Sequence, residues 1–248
     1  MNISQYLDST YLKTPEQSGL SNEETLKKVY ELTQEAIDNS IYAVMIRPDY
    51  VSNVRKFIQE KHSKVVLGTV ISFHEGTKPI NEKLKEATKA IEDGADELDF
   101  VINYTAYLNG EDVKNEFLQC TQLCLKSHKV AKWIIEIAAL TDTQIADLTS
   151  KISTWATENF TEKDLSNIYV KSSTGFFQTT GGKPSGATFE GIKIMLDNAG
   201  KLPVKAAGGV RTPEDAERMI NLGVKRIGTS SALSLMKNQI NSSNSSQY

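Results

Sequence analysis

Short runs of strand-forming residues alternate with amphipathic helical stretches along almost the whole chain. This alternation is typical of a parallel sheet whose strands are joined by crossover helices. Eight strand candidates are present: 5–8, 41–46, 65–72, 97–102, 132–137, 167–172, 203–207 and 225–228. The length of 248 residues is close to the roughly 250 residues of one eight-fold barrel. The pattern therefore predicts an α/β fold, a single-domain (β/α)8 TIM barrel over residues 1–237, in preference to an open doubly wound sheet.

Capping signals mark several of the intervening helices. A Ser or Thr before a helix accepts from the free amides of its first turn, and a Glu or Gln three residues later bonds back. The pairs that fit are Ser21 with Glu24 and Thr141 with Gln144. Another helix has Pro213 directly after Thr212 and stops before Gly223, which follows the preference for proline at the start and glycine past the end.

The charge balance and the two ends of the chain bear on partners and location. A net charge of -3 lacks the basic surplus that nucleic-acid binding requires, so we expect a small anionic metabolite as ligand. No signal-peptide pattern opens the chain, and no apolar stretch approaches about 18 residues. We therefore expect no membrane association and a cytoplasmic location. Residues 238–248, NQINSSNSSQY, are polar and aperiodic, which predicts a flexible C-terminal tail.

The cysteines Cys120 and Cys124 lie one helical turn apart, on the same face as Val113 and Phe117. This spacing indicates buried thiols rather than a redox or metal site, because it is not C-x-x-C and no histidine lies nearby.

Lys171 and Lys205 end two consecutive predicted strands. In barrels of this kind the active site lies at the C-terminal ends of the strands. An ordinary lysine has only about one amine in 2,500 free at pH 7, and only the free amine attacks a carbonyl. A second ammonium and burial would both lower the pKa. The pair predicts an activated amine that attacks a carbonyl group; the alternative is that both lysines are simply solvated.

Two acids lie on one side of the predicted fourth strand, since Glu97 and Asp99 are two residues apart. Asp99 is the candidate for proton transfer, with Lys205 as the cation that keeps it ionised. A structural salt bridge is the alternative for Asp99.

Three glycine- or hydroxyl-rich segments follow predicted strands, at 172–175, 208–212 and 228–231. Glycines let backbone amides approach an anion, and barrels often bind phosphate after strands 7 and 8. The segments predict a phosphate site, although each alone is also compatible with a plain turn. They do not form a dinucleotide fingerprint or a Walker loop.

The motifs LDSTYLK, GADELDFVIN, YVKSSTGF, VKAAGGVRTPEDA and IGTSSAL together resemble the deoxyribose-phosphate aldolase family, class I aldolases with a barrel fold. The resemblance covers nearly the whole chain. It implies reversible cleavage of 2-deoxy-D-ribose 5-phosphate to acetaldehyde and D-glyceraldehyde 3-phosphate, without cofactor, in deoxyribonucleotide catabolism.

The resemblance also implies roles for individual residues. Lys171 matches the Schiff-base lysine, Lys205 the lysine that lowers its pKa, and Asp99 the acid that relays protons through water. Positions matching substrate contacts are Asp8, Thr10 and Thr174. Positions matching the phosphate site are Gly175, Gly208, Gly209, Gly228, Ser230 and Ser231.

The chain departs from the usual family pattern at several places that bear on acceptor preference. Ile137 and Ala138 follow Glu136 where Thr-Gly is common, Met45 replaces a cysteine, and His74 lies in an altered turn. The segment FFQTTGGKPSGAT after SSTG is longer than usual.

Tyr248 carries a separate hypothesis, namely that the tail folds over the barrel mouth and places this hydroxyl near the substrate. The alternative is a frayed terminus without a role. A homodimer is our expectation for the assembly, which the sequence does not determine.

Two other functions remain open at this point. One is a Schiff-base aldolase or transaldolase acting on another sugar phosphate. The other is a non-catalytic barrel that binds a phosphorylated ligand, against which the combination of both lysines and Asp99 argues.

Overall fold

The computed structural model describes residues 2–236, and in that range eight parallel strands close into a barrel. Each strand pairs with the next, and the last pairs back to the first. The strands are β1 (Leu7–Tyr11), β2 (Ala43–Ile46), β3 (Val66–Ile71), β4 (Glu97–Val101), β5 (Val130–Ile134), β6 (Ile168–Lys171), β7 (Val204–Ala207) and β8 (Arg226–Thr229). The predicted TIM barrel is confirmed. The predicted tail at 238–248, with Tyr248, lies outside the described residues.

Helices lie between the strands and surround the barrel. Those within residues 2–236 are α1 (Pro15–Ser18), α2 (Asn22–Asp38), α3 (Val51–Glu60), α4 (Ile80–Glu92), α5 (Tyr104–Leu108), α6 (Lys114–Lys126), α7 (Asp142–Asn159), α8 (Glu162–Leu165), α9 (Phe189–Asn198), α10 (Pro213–Leu222) and α11 (Ala232–Leu235). Short 3-10 turns occupy Ile3–Tyr6, Pro48–Tyr50 and Ile137–Ala139. None of the helices in the described range is long and apolar enough to cross a membrane.

The predicted capping signals act as expected. Reciprocal capping boxes open α2 and α7, at Ser21 with Glu24 and at Thr141 with Gln144. Thr212 caps α10, which begins at Pro213 and is followed by Gly223 with φ 117°. These local interactions set where the helices start, and so they fix the lengths of the loops at the barrel mouth.

Two strands, the first and the fifth, differ most from their predicted bounds. The first strand begins at Leu7 rather than residue 5, because Ile3–Tyr6 form a 3-10 turn capped by Asn2. The fifth strand covers Val130–Ile134 rather than 132–137. Its predicted end is wrong because Glu136 adopts a left-handed conformation, φ 54°, which turns the chain out of the sheet.

The main apolar core lies between the barrel and its helices. On α6, Phe117, Cys120 and Cys124 are fully buried, and the Trp133 ring of β5 packs 5.3 Å from the Phe117 ring. Both cysteines are free thiols, and burial raises the pKa of Cys120 to about 12. The prediction of buried thiols is confirmed.

Candidate active site

Charged side chains from six strands meet inside the barrel. Strands that are not neighbours, such as β4 and β8, are joined by direct ion pairs, so the contacts must pass through the interior. We call this set the ionic cluster; its members are Asp8, Glu97, Asp99, Lys132, Lys171, Lys205 and Arg226. Each is at most 3% exposed. Buried charges require partners, because leaving water costs several kcal/mol per ion.

Asp99 is the centre of the ionic cluster. Its Oδ1 accepts from Lys132 Nζ at 2.9 Å, and its Oδ2 accepts from Lys171 Nζ and Lys205 Nζ at 2.8 Å each. Burial alone would raise the pKa of Asp99, but the three ammonium groups outweigh it and hold that pKa well below its usual range. Asp99 is therefore a carboxylate at any physiological pH, as the sequence predicts, with Lys132 as an additional partner.

A deeper layer supports this arrangement from the N-terminal end of the barrel. Arg226 Nε donates to Asp8 Oδ1 at 2.7 Å, and its two terminal nitrogens lie 3.1–3.2 Å from Glu97. Lys132 Nζ lies 2.5 Å from Glu97 Oε2, and Lys205 Nζ lies 2.5 Å from Asp8 Oδ2. Although burial opposes it, the cations keep the pKa of Asp8 well below its ordinary value.

Lys171 is the outermost lysine of the ionic cluster. Its side chain is 4% exposed, whereas those of Lys132 and Lys205 are at 0%. Burial lowers the pKa of Lys171 to about 8; attraction to Asp99 opposes this shift, and Lys205 and Lys132 add to it. At that pKa about one amine in ten is free at pH 7. Lys171 thus combines access from the barrel mouth with nucleophilic character.

Lys171 and Lys205 are paired in register on neighbouring strands, as the sequence predicts. Burial rather than Lys205 makes the largest contribution to the lowered pKa of Lys171. This refines the sequence-based account, which placed the second ammonium and burial on an equal footing.

Glu136 lies at the rim, directly after β5. One of its oxygens, Oε2, accepts both the amide and the hydroxyl of Thr174, in the SSTG segment that follows Lys171. Burial raises the pKa of Glu136, while these hydrogen bonds and the charge of Lys171 oppose the shift. The interaction ties Thr174, a predicted substrate contact, to the neighbouring strand end.

An apolar wall occupies the part of the interior next to β2 and β3. Its members are Leu12, Met45 and Val70, with Phe73 and Phe176 packed against them. Gly68 makes room for it, since a Cβ there would overlap Met45 Sδ. His74 stacks on Phe176 with ring centroids 5.6 Å apart. Two sequence departures, Met45 and His74, therefore lie at this wall.

The predicted phosphate positions occupy the loops after β6, β7 and β8, with one exception. Gly175 and Gly208 lie in adjacent loops, at φ 79° and 72°, and a Cβ on Gly208 would lie 3.6 Å from Gly175 Cα. Gly209 follows at φ 81°. Gly228 instead lies within β8, where a Cβ would be 3.3 Å from Lys205 Cε. Gly228 therefore leaves room for the aliphatic part of the Lys205 side chain.

The remaining residues predicted to contact the substrate or its phosphate lie at different depths in the barrel. Ser230 and Ser231 are exposed after β8. Thr10 lies one interior position above Asp8 and donates to the Asp8 carbonyl at 2.9 Å. The Asp8 carboxylate itself is enclosed within the ionic cluster, with exposure of 0%. Thr10 is therefore closer to the mouth than its predicted partner.

The long segment 176–187 after SSTG is attached to the rim at its far end. Ala187 N donates to the carbonyls of Ala207 and Gly208 at 3.1 and 3.0 Å. Gly186 packs directly on this backbone, since a Cβ there would lie 2.5 Å from Gly208 C. Both ends of the segment are thus held, one through Thr174 and one through Ala187.

Sequence reasoning missed Lys132 and Arg226 as members of the site. Each stands at or near the start of an apolar strand, where a charged residue is ordinarily solvated. The available signal was the excess of acid inside the barrel, since Glu97 and Asp99 on one face require buried cations. Asp99 and Lys132 are partners in the register of β4 and β5, which the sequence alone does not reveal.

A TIM barrel with a desolvated amine at the C-terminal ends of its strands has the make-up of a lysine-dependent, carbonyl-binding enzyme. The chain belongs to the DeoC/LacD aldolase family, because the model of that family matches residues 5–238. The family resemblance predicted from the motifs is confirmed.

Relatives match over nearly their full lengths. The deoxyribose-phosphate aldolase of Thermococcus gammatolerans is 36% identical over 240 residues, 96% of either chain. Deoxyribose-phosphate aldolase 1 of Vibrio vulnificus is 35% identical over 245 residues, 98% of this chain and 99% of its own. A tetrameric deoxyribose phosphate aldolase structure from Aeropyrum pernix superimposes with a TM-score of 0.77 at 27% identity, covering 96% of this chain and 91% of that one.

Proposed function

We propose that the chain is a class I aldolase that reversibly cleaves 2-deoxy-D-ribose 5-phosphate to acetaldehyde and D-glyceraldehyde 3-phosphate. The observation that carries the proposal is Lys171, a buried amine at the barrel mouth with a pKa of about 8. The names of the full-length relatives supply the substrate. The family supplies the biological setting, deoxyribonucleotide catabolism.

In the cleavage direction the neutral amine of Lys171 attacks C1 of the open-chain sugar. The carbinolamine loses water and becomes an iminium ion that remains attached to Lys171. Asp99 Oδ2, 2.8 Å from Lys171 Nζ in the free enzyme, lies where the iminium charge develops and stabilises it. Because its pKa is so low, Asp99 acts in this step as a counter-ion.

Carbon–carbon cleavage then removes the proton from the C3 hydroxyl and breaks the C2–C3 bond. The bonding electrons move into an enamine on Lys171, and D-glyceraldehyde 3-phosphate leaves. Protonation of the enamine at C2 and hydrolysis of the resulting iminium release acetaldehyde and restore the amine. We assign proton movement to Lys205, Asp99 and water, since Lys205 shares Asp99 Oδ2 with Lys171.

The phosphate is assigned to the rim on the β6–β8 side. Gly175, Gly208, Gly209, Ser230 and Ser231 provide amides and hydroxyls there, whereas Gly228 provides space for Lys205. Thr10 and Thr174 are assigned to the carbon chain of the substrate. A homodimer and a cytoplasmic location complete the proposal, to be tested by light scattering and cell fractionation.

Trapping of the Schiff base tests the proposed function. Borohydride added with acetaldehyde or deoxyribose 5-phosphate should reduce the iminium and add a two-carbon or a sugar-phosphate mass to the peptide that contains Lys171. Labelling only by dihydroxyacetone phosphate would instead indicate an aldolase for a ketose phosphate. Absence of any adduct, with phosphate ligands still bound, would indicate a non-catalytic barrel.

A further inference from the structure

Lys132 is a fully enclosed cation close to the site of the proposed reaction. Its Nζ lies 2.9 Å from Asp99 Oδ1, 2.5 Å from Glu97 Oε2 and 4.0 Å from Asp8 Oδ2. The side chain is 0% exposed. With several carboxylate oxygens around it and no path to water, Lys132 is held as an ammonium, and its pKa is raised despite burial.

The ionic cluster contains more positive than negative groups. Within residues 2–236 it brings together three carboxylates, Asp8, Glu97 and Asp99, and four cations, Lys132, Lys171, Lys205 and Arg226. When one lysine loses its proton, the charges of this cluster balance. Lys171 is the member best placed to do so, because it pairs within the cluster only with Asp99 Oδ2, which Lys205 also holds.

Three lysines share the Asp99 carboxylate. Lys132 pairs with Oδ1, and the two other lysines pair with Oδ2. We propose that Lys132 is a positioning residue which keeps Lys171 partly deprotonated by supplying a fixed positive charge on the far side of Asp99. This inference rests on the proposed function, since it explains how the Schiff-base amine is prepared.

Other titratable groups face the two lysines. Those around Lys132 are Asp8, Glu97, Asp99, Arg226, Lys171, Tyr169 and Cys124. Those around Lys171 are Asp99, Lys205, Lys132 and Glu136. Burial raises the pKa values of Tyr169 and Cys124, so both stay neutral at working pH. Neither of these two groups therefore contributes a change of charge when Lys132 is replaced.

Removal of the fixed charge should move the pKa of Lys171 upward. In Lys132→Met, Lys171 loses a repelling ammonium and gains a larger share of Asp99, both of which favour its protonated form. Glu97→Gln makes the opposite change, since it removes a negative charge and leaves Lys132 in place. The pKa of Lys171 should then shift downward. The shift should be smaller than in Lys132→Met, because Glu97 does not contact Lys171.

Lys83→Met is the matched control. Lys83 is also fully buried and also pairs with a glutamate, its Nζ lying 2.8 Å from Glu116 Oε2 and 2.9 Å from the Val101 carbonyl. It belongs to α4, outside the barrel interior. A general loss of stability should affect both lysine variants, whereas a shift in the pKa of Lys171 should occur only in Lys132→Met.

The experiment measures the initial rate of acetaldehyde adduct formation at Lys171 with cyanoborohydride, as a function of pH, in the wild type and the three variants. The midpoint for Lys132→Met should rise by about half a pH unit, and the rate at pH 7 should fall about threefold, with the alkaline plateau retained. An unshifted midpoint would overturn the inference about Lys132 and leave the proposed function standing. Failure of the wild type to form an adduct at any pH would overturn the proposed function.

If Lys132→Met does not fold, Glu97→Gln decides the question. The glutamine side chain is nearly isosteric with glutamate and still accepts from Lys132 and Arg226 through its amide oxygen. A midpoint displaced to lower pH supports the fixed-charge role. A midpoint displaced to higher pH, or one that coincides with the wild type, overturns it.

Discussion

The two sides of the barrel interior have opposite chemical character. Strands β4 to β8 and β1 contribute the ionic cluster, while β2 and β3 contribute Met45 and Val70 to the apolar wall, with Gly68 leaving room for Met45. The interior side chains are buried on both sides. The two sides differ in what they supply: one side sets the electrostatic potential, and the other excludes water and polar groups.

This difference explains why the pKa of Lys171 is lowered rather than raised. Asp99 by itself would favour the ammonium, as an adjacent carboxylate does in ordinary ion pairs. Burial has the larger effect and opposes it. Variants of the ionic cluster should therefore move pH profiles, whereas variants of the apolar wall should move stability and substrate affinity.

The largest effect is expected from Lys171→Ala. Loss of the amine removes the covalent route, so turnover of deoxyribose 5-phosphate should fall by about 10⁴-fold or more. Asp99 retains Lys132 and Lys205 as partners, so the barrel should stay folded, as checked by circular dichroism. Turnover within about tenfold of the wild type would show that another group carries the reaction.

Lys205→Met should have the next largest effect. It removes an ammonium that lowers the pKa of Lys171, so the acid limb of the rate profile should move to higher pH. The rate near pH 7 should fall about 10- to 100-fold, partly because proton transfer is also impaired. A lower rate with an unmoved acid limb would mean that Lys205 acts by positioning alone.

The wild-type profile itself is a prediction. The amine is reactive when neutral, so the trapping rate should rise as pH increases through about 8, the pKa of Lys171. An acid limb centred near 10.4, the value of a solvated lysine, would contradict the burial of the amine in the free enzyme.

On the apolar side, Gly68→Ala should destabilise the fold without moving the pH profile. The new Cβ would overlap Met45 Sδ, and overpacking of this kind costs about 1–3 kcal/mol. Met45→Ala alone leaves a cavity, which costs about 2–5 kcal/mol. Urea denaturation of the double variant should give less than the sum of the single effects, because each change relieves the other. Strict additivity would argue against the contact.

Phe176→Leu should give the smallest effect. It removes an edge-to-face contact with Phe73, 5.0 Å between centroids, of a kind that contributes about 0.5–1.5 kcal/mol. The KM for the acceptor aldehyde should change by less than about tenfold, and the acid limb should stay in place. A displaced acid limb would show that the apolar wall also affects the pKa of Lys171.

The sequence predicted the parts of the molecule that local rules determine. Capping at Ser21, Thr141 and Thr212 follows from hydrogen bonds within a few residues, and the alternation of elements follows from periodicity. The neighbouring positions of Lys171 and Lys205 also follow, because consecutive parallel strands of a barrel are adjacent.

The register between distant strands could not be predicted from the sequence. Lys132 and Arg226 join the site only because the registers of β5 and β8 bring these side chains to Asp99, Glu97 and Asp8. The hydrogen bonds between the Glu136 side chain and the distant Thr174 likewise depend on tertiary structure. These residues combine an ordinary local pattern with tertiary partners, so no local signal distinguishes them from solvated side chains.

The segment 176–187 has a consequence for how the protein can diversify. Thr174, just before the segment, bonds to Glu136, and Ala187 at its other end bonds to the backbone after β7. Neither interaction involves the residues in between. Insertions, deletions or grafted sequences at 178–184 should therefore be accommodated without displacing the lysines. Natural drift or laboratory selection can then change which acceptor aldehydes enter the site, while the carbon–carbon chemistry stays the same.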